Sequence, residues 1–115
     1  MTAYWTLFDD AWIKTPEYVG CGWGYLRRFP PETMARAREL MQSALAAAKT
    51  PQEKFRVGLA DDSLKLFELF MRMRHDLAEG RFANLSADGD IWRKQTIALG
   101  EKYKDQFCFT KVPWT

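Results

Sequence analysis

The residues of this chain whose types could do chemistry are the adjacent Asp9 and Asp10, the single histidine His75, the cysteines Cys21 and Cys108, and an Asp88-Gly89-Asp90 run. Neighbouring residues on a helix diverge by about 100°. Asp9 and Asp10 therefore do not form the facing carboxylate pair that glycoside cleavage requires, and a solvated face with one ion pair is the expectation. His75 follows no nucleophile motif, and general-base work needs a partner placed by geometry, so a structural or surface role is expected. Asp88-Gly89-Asp90 lacks the ligand ladder and terminal glutamate of a calcium loop and reads as a turn and helix cap. The cysteines are far apart and outside any C-x-x-C pair, which signals neither a zinc site nor a disulfide framework; whether they pair with each other stays open. Asn84-Leu85-Ser86 fits a glycosylation sequon that matters only in a eukaryotic secretory setting. These residues assign no catalytic group, no metal ligand and no cofactor.

Binding is the other use of reactive surface. Aromatic residues make up 15% of the chain, with five tryptophans among them. Trp5, Trp12 and Trp92 recur at helical spacings and point to core or interface, whereas Trp23, Tyr25 and Trp114 fall in irregular segments and are candidate exposed rings for a ligand such as carbohydrate. Arg56 and Arg74 project between two apolar stripes of the longest helical segment, where a buried guanidinium needs a carboxylate. One expectation is a structural ion pair with Asp9, Asp10 or Glu17. The other is that the arginine stems cover apolar surface while their heads reach water.

The elements that position these residues are legible from periodicity. Tyr4, Leu7, Phe8, Ala11 and Trp12 predict a helix over 1–14, ended by Thr15-Pro16. Residues 15–30, rich in glycine and aromatics, read as an ordered connector. Pro31 and Glu32 open a helix over 31–49 whose alanines imply a close neighbour. Thr50-Pro51-Gln52-Glu53 is a capping box that starts the next helix, 51–79, stopped at Gly80. Phe55, Leu59, Leu66, Phe70, Met73 and Leu77 form one apolar stripe of that helix; Val57, Ala60, Leu64, Phe67, Met71 and Ala78 form a second. Only the side with Lys54, Asp61, Lys65, Glu68 and Arg72 reads as solvated. A helix so widely apolar touches at least two others and is central. Residues 81–90 read as a loop and 90–107 as the last helix. The expected fold is all-α, one domain over 1–115, a short-looped bundle of about four helices.

At 115 residues with a formal net charge of +2, the chain is long enough for a core and too weakly basic to call for nucleic acid. No signal peptide and no apolar run of membrane-spanning length is expected from its sequence, which leaves its location open, with a secreted parent protein one option.

The aromatic-Pro-Pro-Glu start at Phe29–Glu32, ARARELMQSALAAAK, the Thr-Pro-x-Glu turn and EKFRVGLADDSLKLFELF, with Arg56-Val57 the most distinctive pair, carry a resemblance over residues 1–80. They resemble the C-terminal helical region of a bacterial domain-of-unknown-function family whose preceding part is similar to a glycoside-hydrolase barrel of the α-glucuronidase kind. The resemblance implies a non-catalytic helical accessory or interaction module associated with carbohydrate-active proteins. Its partner would be such a barrel or another protein, and the barrel itself, with any catalytic acids, is absent from this sequence. A carbohydrate-binding module, a fragment of a glycoside hydrolase and a homodimer are the alternatives.

Overall fold

The computed structural model describes residues 1–14 and 23–106, and the side chains of all of these except 23–25. The fold is all-α, a bundle of four helices, α1 (Thr2–Ile13), α2 (Pro31–Ala47), α3 (Pro51–Ala78) and α4 (Phe82–Lys102), with a 3-10 turn at Trp23–Arg28 and a long α3. Three-residue links separate α2 from α3 and α3 from α4, so the loops are short, as the sequence predicts. The chain forms two compact units, Met1–Asp61 and a second that begins at Asp62.

In the first unit, α1 packs on α2. The small Ala37 and Ala44 flank Met41, and all three are buried, which is how an alanine-rich face admits a close neighbour. The link into α3 is the predicted capping box. The Glu53 N–H donates to the Thr50 hydroxyl at 3.1 Å, while the Glu53 carboxylate accepts from the Lys49 and Thr50 N–H groups at 2.8 and 3.1 Å. Those two backbone donors, Lys49 first, hold the Glu53 carboxyl below its usual range. From this start α3 buries Val57 and Ala60 together with Asp61.

Asp61 corrects the reading of that face as solvated: it is 6% exposed and accepts a 2.6 Å hydrogen bond from Arg38 Nη1 of α2. A carboxylate this deep is tolerable because a guanidinium accompanies it. Of the two apolar stripes, the one through Val57, Ala60 and Leu64 is the deep one, while Phe55 and Leu77 at the ends of the other are nearly half exposed.

The second unit is a helical hairpin. Arg81 N–H reaches the Asp76 carbonyl at 2.9 Å and Gly80 N–H the Leu77 carbonyl at 3.3 Å, with Gly80 in the left-handed region at φ 75°. That conformation favours glycine, and Gly80 ends α3 as expected. The expected loop over 81–90 is not a loop: α4 begins at Phe82, and the Leu85 N–H already bonds the Arg81 carbonyl at 3.0 Å. Tertiary contacts override the local turn preference of Asn84, Ser86, Asp88 and Gly89. Asp88 is pulled onto Arg72, and Gly89 lies where a Cβ would sit 3.7 Å from Met73 Cε.

Gly58 and Gly100 lie inside helices with nothing within 4 Å of where a Cβ would be. Gly58→Ala and Gly100→Ala are therefore each expected to raise stability by about 0.5–1 kcal/mol, and Gly80→Ala to lower it by about 1 kcal/mol, in urea unfolding. A neutral Gly58→Ala would show that the helix backbone there is under another constraint. Asp61→Asn is expected to cost about 1–3 kcal/mol by leaving Arg38 with a weaker acceptor. Asp90→Asn, at a 3.9 Å exposed pair with Arg93, stays within about 0.5 kcal/mol. Equal losses at the two sites would refute the assignment of Asp61 as the structural acid.

Candidate functional site

The first unit carries an aromatic cluster built by α1 and the 3-10 turn. Tyr4, 5% exposed, meets Trp5 edge-on at 4.9 Å and Phe8 at 5.0 Å, and Phe8 meets the buried Phe29 at 5.5 Å. Trp12 stands edge-on to Phe29 at 6.3 Å, with the Arg28 guanidinium 4.6 Å from its ring centre. Arg28 Nη1 also donates to the Trp12 carbonyl at 3.4 Å. Edge-to-face rings and a stacked guanidinium fix the ring orientations of this corner.

What the cluster does not bury is as informative. Trp5 is 53% exposed, Trp12 46% and Ile13 79%, and Asp9 beside them is exposed and makes no ion pair among the described residues. Asp10 pairs instead with Lys14 at 3.1 Å, one turn on. α1 is apolar around more than half of its circumference, with Thr2, Thr6, Asp9 and Asp10 on the remaining arc, yet Tyr4 is the buried residue it contributes. Trp5, Asp9, Trp12 and Ile13 form an apolar surface with a carboxylate inside it.

The second unit carries a groove between α3 and α4. It has a volume of about 340 Å³ along Lys65, Glu68, Leu69, Arg72, Ile91 and Gln95, and a second basin of about 210 Å³ along Asp62, Ala98 and Leu99. Two polar staples bound it. At one end Asp62 Oδ2 accepts from Lys102 Nζ at 2.7 Å and from the Tyr103 hydroxyl at 2.6 Å. At the other, Arg72 Nε and Nη2 form a two-pronged pair with Asp88 at 2.8 and 2.7 Å. That pair raises the Arg72 guanidinium and lowers the Asp88 carboxyl. Arg81 Nε binds the buried Asp76 at 2.8 Å beside the turn. These carboxylates are engaged in holding α4 on α3, an architectural task.

Of the residues singled out by sequence, Arg56 lies exposed and makes no ion pair among the described residues, because the buried arc of α3 at that level runs through Val57, Ala60 and Asp61. Buried carboxylates are met instead by Arg38 at Asp61, Arg81 at Asp76 and Arg72 at Asp88. Arg74 is half-buried in the second unit and His75 is exposed. The side chains of Trp23 and Tyr25, and Glu17, Cys21, Cys108 and Trp114, lie outside the described residues. Among those described, no group of three or more histidine, cysteine or acidic side chains is arranged to hold a metal ion, and no helix is long and apolar enough to cross a membrane. No family model, curated protein or solved structure matches this chain.

The Asp62 staple has a defined pH window. Burial pushes the Asp62 carboxyl up, but the Lys102 and Tyr103 hydrogen bonds outweigh it and bring it below its ordinary 3.8. Burial first, then the bond to Asp62, raises the Tyr103 phenol above 10.0, and the Asp62 bond raises Lys102 above 10.5. The lowered Asp62 contributes stability that is present above the unfolded carboxylate value and lost as pH falls through the folded one. The raised Tyr103 and Lys102 contribute stability that is present below their unfolded values and lost as pH rises through the folded ones. Unfolding followed across pH is expected to show a plateau between about 4 and 10. Tyr103→Phe is expected to lower stability across it by about 1–2 kcal/mol. An undiminished midpoint in Tyr103→Phe would sink the staple.

Proposed function

We propose that this chain is a non-catalytic helical interaction module that presents the α1 surface to another macromolecule. The observation that carries this reading is the mismatch on α1: a helix rich in large apolar side chains that leaves Trp5, Trp12 and Ile13 about half exposed or more. Apolar rings left in water on a fixed scaffold favour association, because covering them releases their hydration. The aromatic packing beneath supports the same reading, since rings held in one orientation lose little freedom on binding. The resemblance over residues 1–80 suggests the context, a module beside a glycoside-hydrolase-like barrel, with no hydrolytic chemistry of its own.

Titration with a dye that fluoresces on apolar surface tests the reading, with circular dichroism as the folding control. The natural chain is expected to bind dye. A Trp5→Gln, Ile13→Gln double variant is expected to keep its helicity, its stability changing by no more than about 1 kcal/mol, and to lose at least about half the signal. A natural chain silent to the dye, or a variant that binds it undiminished, would remove α1 as the docking face. Turnover of a glycoside by the purified chain, abolished by one carboxylate substitution, would overturn the non-catalytic assignment.

A further inference from the structure

The exposed edge of α1 specifies the chemistry of what it docks. Trp5, Asp9 and Ile13 recur every fourth residue and so lie in one line, and Trp12 borders Asp9 three residues on. The carboxylate thus sits at the middle of the apolar strip. It is exposed and makes no ion pair among the described residues, while its neighbour Asp10 is already paired with Lys14.

This symmetry decides between occupants. A second copy of the chain laid on the whole strip in register about a two-fold axis puts Asp9 against Asp9, whether the helices run parallel or antiparallel, because Asp9 is the midpoint between Trp5 and Ile13. Like charges brought together as the rings exclude water are strongly disfavoured. An anionic lipid surface meets the same objection, since the strip offers it Asp9 and Asp10 and one lysine already engaged. A protein surface that combines apolar side chains with a lysine or arginine opposite Asp9 satisfies both halves of the strip. Resting on the docking role assigned to α1, we infer that its partner is a different protein with an apolar surface bearing a basic residue, and that Asp9 is the residue that selects it.

The test uses two labelled amphipathic helical peptides of equal length, one of leucine and lysine and the other with glutamate in place of lysine, followed by fluorescence anisotropy on the whole chain. The net charge of +2 by itself favours the glutamate peptide, so a preference for lysine reports the local carboxylate. The lysine peptide is expected to bind more tightly, and Asp9→Asn to weaken it by about three- to fivefold while leaving the glutamate peptide weak. Trp5→Ala and Ile13→Ala are expected to weaken the lysine peptide whatever residue stands at position 9. If Trp5→Ala and Ile13→Ala weaken both peptides equally while Asp9→Asn changes neither, the docking role stands and the basic partner is refuted. If none of the three variants alters binding, the docking role fails as well. Co-sedimentation with anionic phosphatidylserine vesicles, or a doubled mass by light scattering that Trp5→Ala abolishes, would overturn the inference in favour of a membrane or a second copy.

Discussion

Two consecutive carboxylates in the middle of the longest helix, Asp61 and Asp62, are the constraint on which this structure turns. Each takes its charge partly or wholly out of water, and each is answered by a donor carried on another helix. Asp61 receives Arg38 and fastens α2 to the start of α3; Asp62 receives Lys102 and Tyr103 and fastens the far end of α4. An acid held against a guanidinium or an ammonium is worth little at the surface and much more where burial raises the cost of losing the partner. The two acids differ in this respect. Arg38 is only 24% exposed at its side chain, whereas Lys102 is 59% exposed, so the Asp61 pair is the better shielded from salt.

Local chemistry made much of this fold legible. The capping box at Thr50–Glu53, the glycine that ends α3 and the proline that opens α2 are decided by a few neighbouring atoms, and the first three helices fall within a residue or two of where periodicity puts them. The start of α4 was illegible because Asn84, Ser86, Asp88 and Gly89 each favour a turn on their own. Their helical state depends on Arg72, sixteen residues away in sequence, and that information is not local. The same reason hid the role of Asp61, which occupies the charged side of a helical wheel and is drawn into the core by Arg38, twenty-three residues away in sequence.

The candidate site was half visible. Trp5 and Trp12 at helical spacing read as core or interface from sequence, and the structure divides the roles, with Tyr4 and Phe8 packing inward and Trp5 remaining outside. Periodicity locates an apolar stripe but does not say how much of it a small unit can cover. Asp9 and Asp10 looked equivalent in the sequence. Lys14 separates them by pairing with the one a full turn before it, which leaves the other as the charge inside the ring-lined strip.

The second unit buries Leu64, Leu69 and the ring of Tyr103, and it adds to them the charged staples at Asp62, Asp76 and Asp88. Exposing apolar surface raises the heat capacity on unfolding, whereas exposing polar surface lowers it. The staples therefore add no positive heat-capacity increment, and their share of the stability is a shallower function of temperature than the share carried by the apolar side chains. Chilling that loosens the grip of the leucines leaves the staples nearly as firm as they are in warmth.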